Sequence, residues 1–260
     1  RKAAAMPRPG CGSTGSSPWR RRAKAASADG AIAVARASPD GHTLIVAQSG
    51  VWTTNHLLGT PVGYDPVADF TPITVAGATP HVLVVNPRAT DATDLIALTL
   101  WLKRPDARAT YASGGLGLAD QLTMELFRQA MNAALNHAPQ PGAAGVVAAV
   151  AEGRSAQLAF VPLGTAVAPV RERRLRPIMI TGARRSALLP NVPTAAESGL
   201  NDFVVEAWQG IMGPARMPAP VQQRVHATMT AALRAPETVR ALDQQGFGVI
   251  AGTPQQLAEL

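Results

Sequence analysis

The chain has almost no cysteine. Cys11 is the only one in 260 residues, which excludes an internal disulfide and a thiolate metal cluster. It has few aromatics, 4%, so its core must be built from small and branched aliphatic side chains. No run approaches the roughly 18 consecutive apolar residues of a membrane-spanning helix. Charge is also scarce, at 16% against 47% hydrophobic residues, and that balance excludes disorder for most of the chain. Catalytic signatures are missing as well. The body has no Gly-x-Ser-x-Gly elbow, no Walker loop and no His-Glu-x-x-His pair, and no set of clustered carboxylates.

The net charge of +7 suggests nucleic acid until it is located. Residues 1–36 hold eight Lys or Arg and one acid, Asp29, while residues 37–260 hold 16 of each sign. The body is therefore neutral and offers no basic stripe to grip phosphates, so no nucleic-acid partner is expected. Residues 1–29 read as a disordered basic arm, rich in Gly, Ser and Pro around Arg20-Arg21-Arg22, with no apolar stretch of a signal peptide. Within it, Gly10-Cys11-Gly12-Ser13-Thr14-Gly15 matches the dinucleotide fingerprint in letters only, since no strand precedes it and no helix follows.

From Gly30 onward, apolar runs alternate with helical patterns, the mark of an α/β fold. Strands are expected at 43–47, 71–76, 81–85, 110–112, 157–161, 175–181, 203–206 and 248–250. Helices are expected at 31–36, 93–104 with Thr93 as N-cap, 118–133, 145–151 ended by Gly153, 220–233, 236–245 and from Thr253-Pro254. The strands are near-continuously apolar, which points to a parallel or mixed sheet covered on both faces. His42, His56, His81, His137 and His226 are scattered, and each reads as a structural or surface residue.

One loop has the setting for chemistry. Ser113-Gly114-Gly115-Leu116-Gly117 lies between a strand and the helix opening at Leu118. First-turn N–H groups are unpaired there, the helix dipole favours an anion, and the glycines admit a ligand to the backbone. The candidate binding residues are Ser113, Gly114, Gly115, Gly117 and Leu118. Ser49 and Asn55, read as part of a polar loop, are candidates from the opposite side of a cleft.

From Gly30 to Leu260 the chain resembles the tripartite tricarboxylate transporter receptors, the Bug family of periplasmic solute-binding proteins. The resemblance is carried by Ser38-Pro39-Asp40-Gly41-His42-Thr43-Leu44, Tyr64-Asp65-Pro66, His81-Val82-Leu83-Val84-Val85-Asn86-Pro87, Tyr111-Ala112-Ser113-Gly114, Leu189-Pro190-Asn191-Val192-Pro193-Thr194 and Trp208-Gln209-Gly210. It implies a two-lobed, periplasmic-binding-protein-like fold of type II with mixed sheets flanked by helices. Lobe one would take residues 30–85 and 207–260, and lobe two residues 86–206. It also implies a small carboxylate ligand held in the interlobe cleft by helix N-termini, a membrane transporter as partner, a periplasmic location, no cofactor, no metal and no catalysis, in a chain acting as a monomer. The family opens with a strand and a Gly-rich loop that residues 1–29 do not resemble, and its last helix runs further. Lobe one is therefore expected to be incomplete. The family pattern has a small hydroxyl residue where Leu118 stands, His where Gln121 stands, and Tyr and Lys at Gln140 and Pro141. The competing reading is a degenerate or truncated remnant of the family that binds nothing. An enzyme on the same frame is disfavoured because no nucleophile–base set is present.

Overall fold

The computed structural model describes residues 28–54, 62–104 and 108–260. The basic arm up to residue 27, its Gly-Cys-Gly string and the candidate Asn55 lie outside the described residues.

Chain order begins with α1 (Ala28–Ala35), β1 (Ile45–Gln48), α2 (Ser49–Trp52), β2 (Phe70–Val85) and α3 (Leu95–Leu102). Then come β3 (Thr110–Ser113), α4 (Ala119–Met131), β4 (Asn136–Pro139), α5 (Gly142–Glu152), β5 (Leu158–Pro162), α6 (Leu163–Arg171) and β6 (Arg176–Ile180). The last elements are β7 (Glu206–Pro214), α7 (Ala219–Arg234), α8 (Pro236–Asp243), β8 (Gly248–Val249) and α9 (Pro254–Glu259).

The expected strands at 71–76 and 81–85 are one 16-residue strand, β2, which runs through both Pro72 and Pro80. It persists because its partners change along its length. Phe70 to Pro80 pair with β7, whereas His81 to Val85 pair with β5 and Val82 to Val85 also meet β6. Pro80 has no N–H to donate, and it falls where the β7 ladder ends. The sheet order is β1-β7-β2-β5-β3-β4, with β6 and β8 also on β2. Pairing around β2 is antiparallel, and only β3–β4 and β3–β5 are parallel, so the sheet is mixed. The apolar runs reflected two-sided burial rather than strand direction.

Other expectations shift for local reasons. The strand placed at 203–206 is instead β7, hidden in sequence by Gly210 and Gly213. Both glycines mark close approach: a Cβ at Gly210 would stand 2.8 Å from Leu257, and one at Gly213 would overlap the Met217 sulfur. Helix α6 went unread behind Gly164 and Pro169, and β4 is a four-residue edge strand. Ser49 opens the single-turn α2 rather than a polar loop, because Val51 and Trp52 are buried and Trp52 packs edge-on to Phe70 with centroids 4.9 Å apart.

The core has a large cluster on each side of the β3–β5 sheet and smaller ones around β1, β7 and α7. Leu83, Phe127, Leu158 and Phe160 anchor one of the large clusters, and Val82, Val84, Val150 and Val161 the other.

The N-cap of α3 is Asp94 rather than Thr93: the Asp94 carboxylate accepts from the Ala97 N–H at 2.8 Å. Asp94→Ala should cost about 1 kcal/mol in chemical denaturation, and Thr93→Ala should cost less. The reverse order would return the cap to Thr93.

Candidate functional site

Strands β3, β4 and β5 run parallel, and the next element after each is a helix, so α4, α5 and α6 all start at the same edge of the sheet. In open α/β sheets that edge is where ligands bind. The N-cap residues of the three helices, Leu118, Pro141 and Pro162, provide no side-chain hydrogen bond to the helix. Their first-turn N–H groups have no intrahelical acceptor, and three positive dipole ends converge.

These ends form one wall of a cleft of about 650 Å³, through Leu118, Ala119 and Asp120, through Gly142 and Ala143, and through Gly164 and Thr165. The floor follows from strand alternation. Thr79 and His81 lie two apart on β2, Thr79 is paired with Ala207, His81 with Pro162, and Gln48 with Gln209. All six line the cleft. The far wall is Gln244, Gln245 and Phe247, just after α8. Among the described residues lining the cleft there is no Lys or Arg, and Asp120 is the one carboxylate. The cleft sits where β2 exchanges β7 for β5.

The loop before α4 is already hydrogen-bonded. The Asp120 carboxylate accepts from the Gly114 N–H at 2.6 Å and from the Gln121 N–H at 3.0 Å, and the Gln121 side chain accepts from the Gly117 N–H at 3.1 Å. Burial raises the Asp120 carboxyl above its ordinary value, and those N–H groups pull it back. Ser113 is fully buried, and its hydroxyl shares a 2.7 Å hydrogen bond with His137 Nε2. His137 in turn stacks on Tyr111 at 4.8 Å. His81 is buried in the cleft floor, its Nδ1 has no partner, and burial lowers its pKa to about 4.

Residues 21–260 match the model of the tripartite tricarboxylate transporter family receptors. The chain belongs to this receptor family. Among its relatives is BugT of Bordetella pertussis, 30% identical over 244 residues, covering 90% of this chain and 72% of BugT. Rpa4515 of R. palustris, solved with adipate, is 27% identical with a TM-score of 0.81, covering 89% of this chain and 77% of that one. MatC from Rhodopseudomonas palustris, solved with bound malate, is 27% identical with a TM-score of 0.76, covering 89% and 79%. The fold is that of periplasmic binding proteins of this type, a mixed sheet flanked by helices. Among the described residues of the receptor, no helix is long and apolar enough to cross a membrane, and no group of three or more His, Cys, Asp or Glu is arranged to hold a metal ion.

Of the residues read from sequence, Gly114 and Leu118 line the receptor's cleft. Ser113, Gly115 and Gly117 are outside its lining: Ser113 lies buried beneath the loop, and Gly115 and Gly117 take positive φ within it. Ser49 does not line it either, although its neighbour Gly50 approaches the Gly117 carbonyl, 3.6 Å from where a Cβ would stand. Sequence reasoning missed the starts of α5 and α6, His81, Asp120 and the four glutamines. The available signals were Pro141-Gly142 just beyond the end of β4 at Pro139, and Gly164 two residues after β5 ends at Pro162.

Proposed function

We propose that this receptor captures a small carboxylate in the cleft between two lobes, residues 30–85 with 207–260 and residues 86–206. In this reading it works in the periplasm, binds without turnover and passes its ligand to the membrane subunits of a transporter. One observation carries the reading: three helix N-termini without side-chain caps point into a cleft of about 650 Å³ at the carboxyl ends of parallel strands. The Asp120 and Gln121 side chains already accept from the Gly114, Gly117 and Gln121 N–H groups, and the Gly142 N–H donates to the Gln140 carbonyl. The ligand carboxylate therefore falls to the remaining amides at the starts of α5 and α6, where Ala143, Gly164 and Thr165 lie. Gly114 and Leu118 then form the side of the site. Ser113, Gly115 and Gly117 shape the loop, and Ser49 approaches from the other lobe. The carboxylates bound by Rpa4515 and MatC support the same ligand class.

Thermal unfolding against a panel of mono- and dicarboxylates tests this. A ligand at 100 times its Kd should stabilise the native chain by about 2.7 kcal/mol, and the shift should saturate. A flat response to every carboxylate at millimolar concentration would support the non-binding remnant instead.

A further inference from the structure

Resting on that reading of the cleft, we propose that the ligand is a small carboxylate that also carries an ammonium group, and that Asp120 selects it over dicarboxylates. Three observations converge.

The first is the charge of the lining. Among the described lining residues Asp120 is the only charged side chain, and no Lys or Arg is present to neutralise a second ligand carboxylate. The Asp120 oxygens accept one hydrogen bond each, from Gly114 and Gln121. A carboxylate has about four acceptor positions, so it retains capacity for a donor from the cleft. An anion placed there would meet a like charge in a half-buried site, whereas an ammonium meets its complement.

The second is the composition of the remaining polar wall. Gln48, Gln209, Gln244, Gln245 and Thr79 are neutral. Their amides and hydroxyl accept as well as donate hydrogen bonds, so this wall accommodates a donor-bearing ligand.

The third is reach. A Cβ built on Gly114 would lie 3.4 Å from the Asp120 Oδ2 and 3.7 Å from the Gly142 Cα. The acceptor for an ammonium and the helix start assigned to the carboxylate therefore flank the same point. A ligand of a few carbons spans both.

Calorimetry on the full chain with spacing-matched pairs decides it: β-alanine against succinate, and 4-aminobutyrate against glutarate, with malate and adipate as further dicarboxylates. The ammonium carboxylate of at least one pair should bind at least about tenfold tighter than its dicarboxylate partner, a difference near 1.4 kcal/mol. Asp120→Asn keeps an oxygen for the Gly114 N–H and should erase that preference; Asp120→Ser provides a second variant. The wild-type ratios decide the matter even where a variant fails to fold. Tighter binding of the dicarboxylates, or a preference that survives Asp120→Asn in a folded variant, overturns the inference while leaving the carboxylate cleft intact. Binding of none of these probes, with other carboxylates bound, likewise overturns only the inference. No carboxylate binding at all overturns both readings.

Discussion

Gly164→Leu is expected to weaken ligand binding by about a hundredfold or more, close to 2.7 kcal/mol, while the chain remains folded. Gly164 stands in the first turn of α6, and a Cβ there would overlap the Gln245 carbonyl. That carbonyl belongs to the turn between α8 and β8, and Gln244, Gln245 and Phe247 form the wall facing the helix starts. The contact is backbone against backbone, so no side-chain rotamer relieves it. Gly246, at φ +74, faces the Gly164 N–H from the other direction, which leaves the turn little freedom to yield. The cheapest response is for the two walls to separate. Helix propensity does not oppose the change, since leucine is the better helix former by about 0.8 kcal/mol. Small-angle scattering should show a wider particle, and calorimetry a weakened ligand. Unchanged affinity and radius would mean that the walls do not need to meet for binding.

Acid should destabilise the chain through His81 by about 3 kcal/mol, because protonating the buried ring is harder than protonating the exposed one, at about 1.4 kcal/mol for each tenfold in proton affinity. The ring is 2% exposed, and burial alone lowers its pKa from 6.5 to about 4. The native state thus binds this proton less readily than the unfolded chain. The stability tied to the neutral ring is complete above pH 6.5 and is lost as pH falls through that value toward 4. Its backbone N–H donates to the Thr181 hydroxyl at 2.9 Å, and among the described residues the side-chain Nδ1 is unpartnered. Asp120 is the carboxylate that shares the cleft lining; burial raises its pKa and the Gly114 and Gln121 N–H groups oppose that rise. Urea unfolding at pH 7 and pH 4.5 should show a larger loss for the wild-type chain than for His81→Asn. Equal losses would place the acid sensitivity elsewhere.

Local patterns were legible where local physics decides the structure. Gly153 ends α5 in the left-handed conformation, as a C-terminal glycine should. Thr253 caps α9 with a complete capping box to Gln256, and Pro254 stands inside its first turn. The strand-to-helix setting of residues 113–118 was also visible, because glycine punctuation and amphipathic periodicity are encoded within a few positions. By contrast, β2 was expected as two strands, 71–76 and 81–85, with Gly77 to Pro80 between them. Only the partner across from it shows otherwise: Gly77 is required because a Cβ there would overlap the Gly248 carbonyl of β8.

The sequence by itself determined the α/β class, the glycine end of α5 and the cap of α9, the neutrality of the body and the family to which the chain belongs. All of these rest on composition or on residues close together in the chain. Tertiary structure alone decided the site. It aligned β3, β4 and β5 so that three helix starts meet, and it set Gln48, Thr79, Gln209 and Gln245 around one cleft. It also filled the first of those helix starts with Asp120, a residue that by sequence is simply an acid in a first turn. The physical reason is that a helix N-terminus is an anion site only while its amides are free. Here Asp120 reaches Gly114 and Gln121 from six residues and one residue away, whereas strand pairing brings Gln48 beside Gln209 from distant parts of the chain.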